Sequence, residues 1–438
     1  MGWRAALGAA LVLAGAFLPA RLAAQLTTDV VPRGRTLALE AQIKSEVESS
    51  RFRLGPLRLI PVFRVSNAGY DSNVFGTPDV CPELTGCDQP KVDDWTATVS
   101  GGLRIVVPLG SKIFLRGEAL PSYTWYQETE GLKKWGGFYA GSLYLYFNRL
   151  TLEARGFQSQ ALEFLNSETD TRVDRTTDDA ALKLEVELGR ALSLTGAAEV
   201  QQIRSEQVEE PTIPIVNIRQ LDRDEAVGRA GIRYRFASQW ELTGGVEFTR
   251  TEFFLTPELR DNQTVAYMGG IYYDRPRFFA NLSGAYREGR AYGGSEYPDY
   301  QTATGSYFLS YFPARRIELQ GWGRRGVSYG ATSAASPYFV ETRNGAAVNV
   351  EVHRRLLLKG YGSYGTNEYP FEEELGEELV ERTDKVKTFG GGFSALITKT
   401  LVFTGLVYQD TIESVFPGIG RSVVRFSTTF SFEGVFSR

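Results

Sequence analysis

The sequence predicts an all-β protein: one closed antiparallel transmembrane β-barrel of about 18 strands, preceded by a cleaved signal peptide. Three observations carry this expectation. From Leu57 onward apolar and polar residues alternate, with almost no helical period. The breaks between alternating runs are of two kinds, tight and long, which take turns along the chain. The amino-terminal residues have the composition of an export signal.

Residues 1–24 supply that signal. Arg4 gives a positive start, Ala5 to Leu18 is apolar and uncharged, and Leu22-Ala23-Ala24 precedes Gln25 as a cleavage site. The apolar run is too short for a helix to cross a hydrocarbon core of ~30 Å at about 1.5 Å per residue, which argues against a membrane anchor. Residue 25 is Gln and not Cys, which argues against a lipid anchor. Residues 25–56 form a periplasmic leader. Within it Thr36 to Ser50 sets Leu39, Ile43 and Val47 at four-residue spacing among Glu and Lys. That is the pattern of a short amphipathic helix, either plugging the barrel from the periplasmic side or standing as a solvated leader.

Residues 57–438 are the barrel. Leu182, Leu184, Val186 and Leu188 alternate with Lys183, Glu185 and Glu187, and Trp240, Leu242, Val246 and Phe248 oppose Glu241, Thr243 and Glu247. Tight breaks fall near Pro108-Leu109-Gly110, Asn148-Arg149, Gly189-Arg190, Ala237-Ser238, Arg275-Pro276, Pro313-Ala314, His353-Arg354 and Thr398-Lys399, about 40 residues apart. Each interval holds two long strands and a loop, whereas a propeller blade would need four short strands. Strands are predicted to start near residues 57, 95, 112, 136, 150, 178, 192, 224, 240, 263, 277, 300, 316, 338, 355, 385, 401 and 422. An even number, with both chain ends on the short-turn side, fits an outer-membrane barrel. In a soluble sandwich the charged face would meet water outside; in lipid the outward row must be apolar and the charges face the lumen.

Composition excludes several other classes. The 438 residues carry 48 Lys+Arg against 52 Asp+Glu, which gives no basic surface for nucleic acid. Mean hydropathy is −0.21, too polar for a bundle of membrane helices. One His, two Cys and two Met offer little for a metal or haem site, and no cofactor is expected.

With the polar face inward, the expected lumen lining is Arg104, Arg116, Glu118, Glu153, Arg155, Glu185, Glu187, Glu225, Arg229, Arg233, Arg235, Glu241, Glu247, Glu318, Arg324, Glu341, Arg343, Glu351, Lys359, Arg425 and Glu433, with Trp322 and Tyr361 as inward aromatics able to stack on sugar rings or pack against these charges. Both signs are mixed, which points to weak ion selectivity. Loop one, Ser66 to Asp94, and the acidic run from Glu372 to Glu381 are candidate constrictions, the run being read as a solvated external loop. Cys81 and Cys87, close together in an exported loop, are expected to form a disulfide. His353 falls at a periplasmic turn beside Arg354-Arg355 with no evident catalytic partner, so no enzyme is expected.

In Pro61 to Phe75, the run Gly69-Tyr70-Asp71-Ser72-Asn73-Val74-Phe75 resembles the putative β-barrel porin type 2 family. The resemblance implies an outer-membrane channel linked to exopolysaccharide or saccharide passage. Physically, Asp71 and Asn73 are turn formers that bond nearby backbone amides, and Tyr70 and Phe75 suit an interfacial aromatic belt. At the carboxyl end Val424, Phe426, Phe430 and Phe432 alternate with Arg425, Ser427, Thr429, Ser431 and Glu433 as a closing strand would. Barrels of this kind commonly end on an aromatic residue, whereas here Phe436 is followed by Ser437-Arg438. Expected partners are outer-membrane lipid and lipopolysaccharide, the barrel-assembly machinery and a polysaccharide or oligosaccharide; the alternative is a non-conducting structural or adhesive barrel that displays its loops.

Overall fold

The computed structural model describes residues 33–50, 52–79, 91–166, 168, 172–207, 218–331, 336–375, 378–398, 400–416 and 418–433. A helix, α1 (Arg33–Ser49), leads into a short strand β1 (Phe52–Leu54) and then eighteen long strands. These are β2 (Leu57–Asp71), β3 (Asp94–Pro108), β4 (Ile113–Tyr126), β5 (Lys134–Tyr146), β6 (Leu150–Phe164), β7 (Arg172–Glu187), β8 (Leu192–Gln207), β9 (Arg223–Ala237) and β10 (Trp240–Phe253). After a helical turn, α2 (Pro257–Arg260), come β11 (Asn262–Arg275), β12 (Phe278–Ala291), β13 (Tyr300–Ala314), β14 (Ile317–Tyr329), β15 (Tyr338–His353), β16 (Leu356–Leu375), β17 (Glu378–Leu396), β18 (Leu401–Glu413) and β19 (Arg421–Glu433).

Each long strand pairs antiparallel with the next, and β19 returns to β2 through Arg425↔Asp71 and Phe432↔Phe63, so the sheet closes. Closure leaves no edge, the only way a sheet can satisfy its backbone in hydrocarbon. β1 pairs with the start of β2, Phe52↔Leu59, just beyond the end of β19.

The ladder identifies the two faces. Arg172, at the mouth end of β7, donates to Asp71 of β2 at 2.7 Å, although four strands separate them along the wall, so Asp71 points into the interior, and register carries that inner face from Asp71 to Arg425 and Tyr408. The opposite face is the oily one: Val99, Leu182, Val246, Phe248, Leu282, Val407 and Phe430 are all exposed. Aromatic rings gather on it at both ends. Tyr70–Trp95 and Tyr123–Trp135 lie toward the long loops, with ring centres 5.6 and 5.0 Å apart. Trp240–Tyr273 and Phe403–Phe430 lie toward the tight turns, each at 4.4 Å. Such girdles mark the two headgroup levels of a membrane barrel. This is an outer-membrane-type β-barrel.

Most strands begin within two residues of the sequence expectation, and two do not. β7 starts at Arg172 instead of near 178, and β17 at Glu378 instead of near 385. The acidic run, expected as an external loop, is ladder instead: Glu372 faces Glu381 and Glu373 faces Val380 across the β16–β17 hairpin. Strands of 13 to 20 residues outrun the roughly 9–11 that hydrocarbon requires. Beyond the headgroups both faces can be wet, so the alternation that reveals a strand fades while its hydrogen bonds continue.

The lipid-facing assignment makes a test. Leu182→Arg should destabilise the folded barrel by about 2–4 kcal/mol. The inward Gln201→Arg should cost far less, and denaturant unfolding in bilayers measures both.

Candidate functional site

The inner wall is a set of cross-strand ion pairs. Between β3 and β4, Arg104 grips Glu118 bidentately at 2.9 and 3.1 Å, and Arg116 adds 3.3 Å to the same carboxylate. A longer chain crosses β8, β9, β10 and β12. Arg229 lies between Glu199 at 3.2 Å and Glu247 at 2.6 Å, and Glu247 also takes Arg287 at 2.8 Å. Arg155 lies between Asp179 at 3.5 Å and Glu199 at 3.6 Å. Arg233 is paired with Glu185 and Glu241, and Arg235 reaches Glu241 at 3.5 Å. Glu341 holds Arg324 at 2.6 Å and Arg343 at 3.3 Å. Glu318 accepts from Ser310, Gln320 and Asn349 at 2.6, 2.9 and 3.1 Å. Strand register carries Glu153, Glu187, Glu225, Trp322, Glu351, Lys359 and Tyr361 onto this same face, and the side chain of Glu433 lies outside the described residues. Because opposite charges meet on neighbouring strands, the wall is charged yet locally neutral.

At the periplasmic end α1 sits inside the wall. Ile43 is buried against Ile60, Val106, Phe114, Tyr144 and Tyr146, with Leu39 and Val47 beside it. Its neighbour Glu46 meets Arg104 at 3.3 Å and Arg116 at 3.6 Å. The four-residue apolar spacing therefore packs on β2–β5, and the helix's buried acid joins the wall's own Arg–Glu cluster.

At the extracellular end the loops fold inward. In β2 a bulge follows Ser66, where Asn67 takes a left-handed backbone with φ 53°, and Gly69 passes so close to the Phe426 carbonyl that no Cβ would fit. The extra residue flips the alternation. Ile60, Val62 and Arg64 face inward before it, and Gly69 and Asp71 after it. Asp71 is thus buried, held by Arg172 at 2.7 Å and Arg425 at 2.9 Å, and it accepts the Asn73 N–H at 3.1 Å. Both guanidiniums stack on Phe164, 4.5 and 4.6 Å from its centre. Asn73 closes the next turn by accepting from the Thr77 N–H at 2.9 Å and donating to its carbonyl at 2.7 Å.

The loop between β6 and β7 reaches across the barrel. Glu168, wholly buried, accepts the Ala331 N–H at 2.6 Å and pairs with Arg382 of β17 at 3.0 Å; its carbonyl accepts from Arg421 of β19 at 3.1 Å. Arg382 also holds Asp384 at 2.6 Å and lies 4.0 Å from the centre of the Tyr369 ring. An apolar knot of Leu165, Val173, Leu221, Phe253 and Ala331 gathers the same loops, and Arg260 of α2 donates to the carbonyl of Gly330 at 2.8 Å. In the β12–β13 loop Tyr297 packs against Tyr300 and Tyr338, and burial pushes its phenol well above the usual range. A cavity of about 1050 Å³ remains along β4–β10, with Glu118, Phe157, Asp179, Gln201 and Glu225 in its lining.

His353, the last residue of β15, is exposed, and its Nδ1 accepts the Arg355 N–H at 3.3 Å. Cys81 and Cys87, the expected signal peptide, residues 1–24, and Phe436 lie outside the described residues. Sequence reasoning missed the roles of Arg172, Glu168, Arg260 and Arg382, since their partners are remote in the chain and lie in loops where no period constrains the pattern.

No family model matches this chain, and no curated protein matches it either. Solved structures do resemble it in fold. Acinetobacter baumannii OccAB3 superposes with a TM-score of 0.50 at 10% identity, covering 87% of this chain and 100% of that one. Pseudomonas aeruginosa OccK2 (OpdF), determined in complex with glucuronate, gives 0.50 at 10% over 87% and 99%. A BenF-like porin from Pseudomonas fluorescens Pf-5 gives 0.50 at 9% over 87% and 99%. At these identities the likeness is one of fold: a porin-type barrel of the outer membrane.

The loop anchor can be tested directly. Arg382→Met leaves Glu168 and Asp384 buried without their cation and should cost about 3–5 kcal/mol. Glu168→Gln, which keeps a hydrogen-bonding oxygen for Ala331, should cost less. Unfolding of the two variants and of their combination gives the coupling.

Proposed function

We propose that the protein is a passive outer-membrane channel for small polar solutes, selective through a lumen narrowed at both ends. The observation that supports this best is the closed wall with an inner face charged throughout yet paired strand to strand, a surface that stays hydrated without favouring either ion sign. The described loops and α1 restrict the passage and leave a side cavity within it. The residues on that wall, from Arg104 and Glu118 round to Arg425, are proposed to line the path. Linkage to saccharide or exopolysaccharide passage is the finer proposal, supported by the resemblance in Gly69–Phe75. Lipopolysaccharide outside and the barrel-assembly machinery during insertion are the proposed partners.

A second reading, a sealed barrel that displays loops, is favoured by the docking of one face of α1 on the inner wall and by the knot of extracellular loops. Planar-bilayer recording separates them. The intact chain should give discrete conductance steps with weak ion selectivity, and deleting residues 33–50 should enlarge them. No current from either form would support the sealed barrel.

A further inference from the structure

We propose that the inner wall of β13–β18 is a binding platform for hydroxylated rings, the flat apolar faces of neutral pyranosides, built around Trp322. The inference rests on the channel reading above and names the solute class for it. Its basis is how the rings are seated. Trp322 lies over Gly345, its partner on β15, so tightly that a Cβ at 345 would overlap the indole. The phenol end of Tyr361 lies over Gly390, where a Cβ would stand 2.8 Å from the Tyr361 Oη and 2.7 Å from the Tyr408 Cβ. A glycine beneath a ring lets the ring lie against the wall and turn its other face to the lumen. Among the described residues no second ring, cation or hydrogen-bond acceptor engages the Trp322 indole. Phe308 faces it across β13–β14 and extends the apolar strip toward Phe279, 5.8 Å away.

Polar groups run in register beside the rings. The row that begins at Trp322 and Gly345 continues through Ser363 and Thr388, the latter bonded to Asp410 at 2.6 Å. Stacking faces next to hydroxyl and carboxylate groups are what a pyranoside needs, an apolar C–H face with hydroxyls at its rim. The nearby guanidiniums already hold carboxylates, Arg324 with Glu341 and Arg425 with Asp71 and Asp410, so these groups offer no spare charge to an ionic solute. The Lys359 ammonium stands 5.5 Å from the centre of Tyr361 and is the flexible group that a ring entering there would displace.

Ring-over-glycine seating also stiffens sheets, and the outward face supplies the control: Tyr307 covers Gly323 toward lipid. The full-length protein is recorded in planar bilayers with maltotriose, and with sorbitol, a polyol without a ring. Maltotriose should block the current, with half-blocking concentration raised about tenfold by Trp322→Ala and by Gly345→Ala, retained by Trp322→Phe and unchanged by Tyr307→Ala. Sorbitol should not block. Current that flows without maltotriose block, or block indifferent to Trp322→Ala, overturns the platform and leaves the channel intact. If no current flows, the channel reading fails. Maltotriose titration of tryptophan fluorescence in detergent micelles then tests the platform alone: saturable quenching lost in Trp322→Phe supports it, and its absence overturns it.

Discussion

Hydrocarbon offers no hydrogen bonds, and that single fact organises this molecule. A strand in lipid must give every amide to a neighbouring strand, so the sheet has to close. The return of β19 to β2 satisfies the last edge, and β1 pairs with Leu57–Leu59 of β2, beyond the described end of β19. Once closed, the wall has an oily outside held in place by aromatic girdles and an inside where charges are affordable only in company. The cross-strand Arg–Glu chains follow from that: neighbouring strands lie about 4.8 Å apart, within reach of paired long side chains.

The ends of the barrel obey different rules. There α1 enters by a mixture of apolar packing through Ile43 and ion pairing through Glu46. Two buried carboxylates anchor the extracellular end: Asp71 at the end of β2, held by Arg172 of β7 and by its cross-strand partner Arg425, and Glu168 in the β6–β7 loop, held by Arg382 of β17 while its backbone carbonyl accepts from Arg421 of β19. A buried carboxylate without its cations is costly, so such contacts fix where a loop lies more than they add stability. The lumen is thereby shaped by a few anchors and not by the length of the loops.

Much of the barrel was legible because lipid enforces strict alternation: Leu182–Leu188 and Trp240–Phe248 announce their strands and their outward faces. The helix was legible at Leu39, Ile43 and Val47, but not its seat, since nothing in the spacing names Tyr144 or Val106 as its floor. Asp71 shows where pattern reading failed. Counting by twos from Arg64 would put Asp71 outside, and the bulge at Asn67, a single extra residue, turns it inward. Glu168 and Arg382 carry no signal at all, because their pairing is made by tertiary folding between segments far apart in the chain. The start of β17 was hidden for a different reason: Glu378–Glu381 lies beyond the headgroups, where no solvent contrast imposes a period.

The central claim is that lipid touches one face of each strand and water the other. It is tested most directly with two single-tryptophan variants, one keeping Trp125 on the outer face and one keeping Trp322 on the inner, reconstituted in bilayers of brominated phospholipid. The account predicts strong quenching of Trp125 by bromine and little by aqueous acrylamide, with the order reversed for Trp322. Equal bromine quenching of both, or quenching of Trp322 alone, would contradict it.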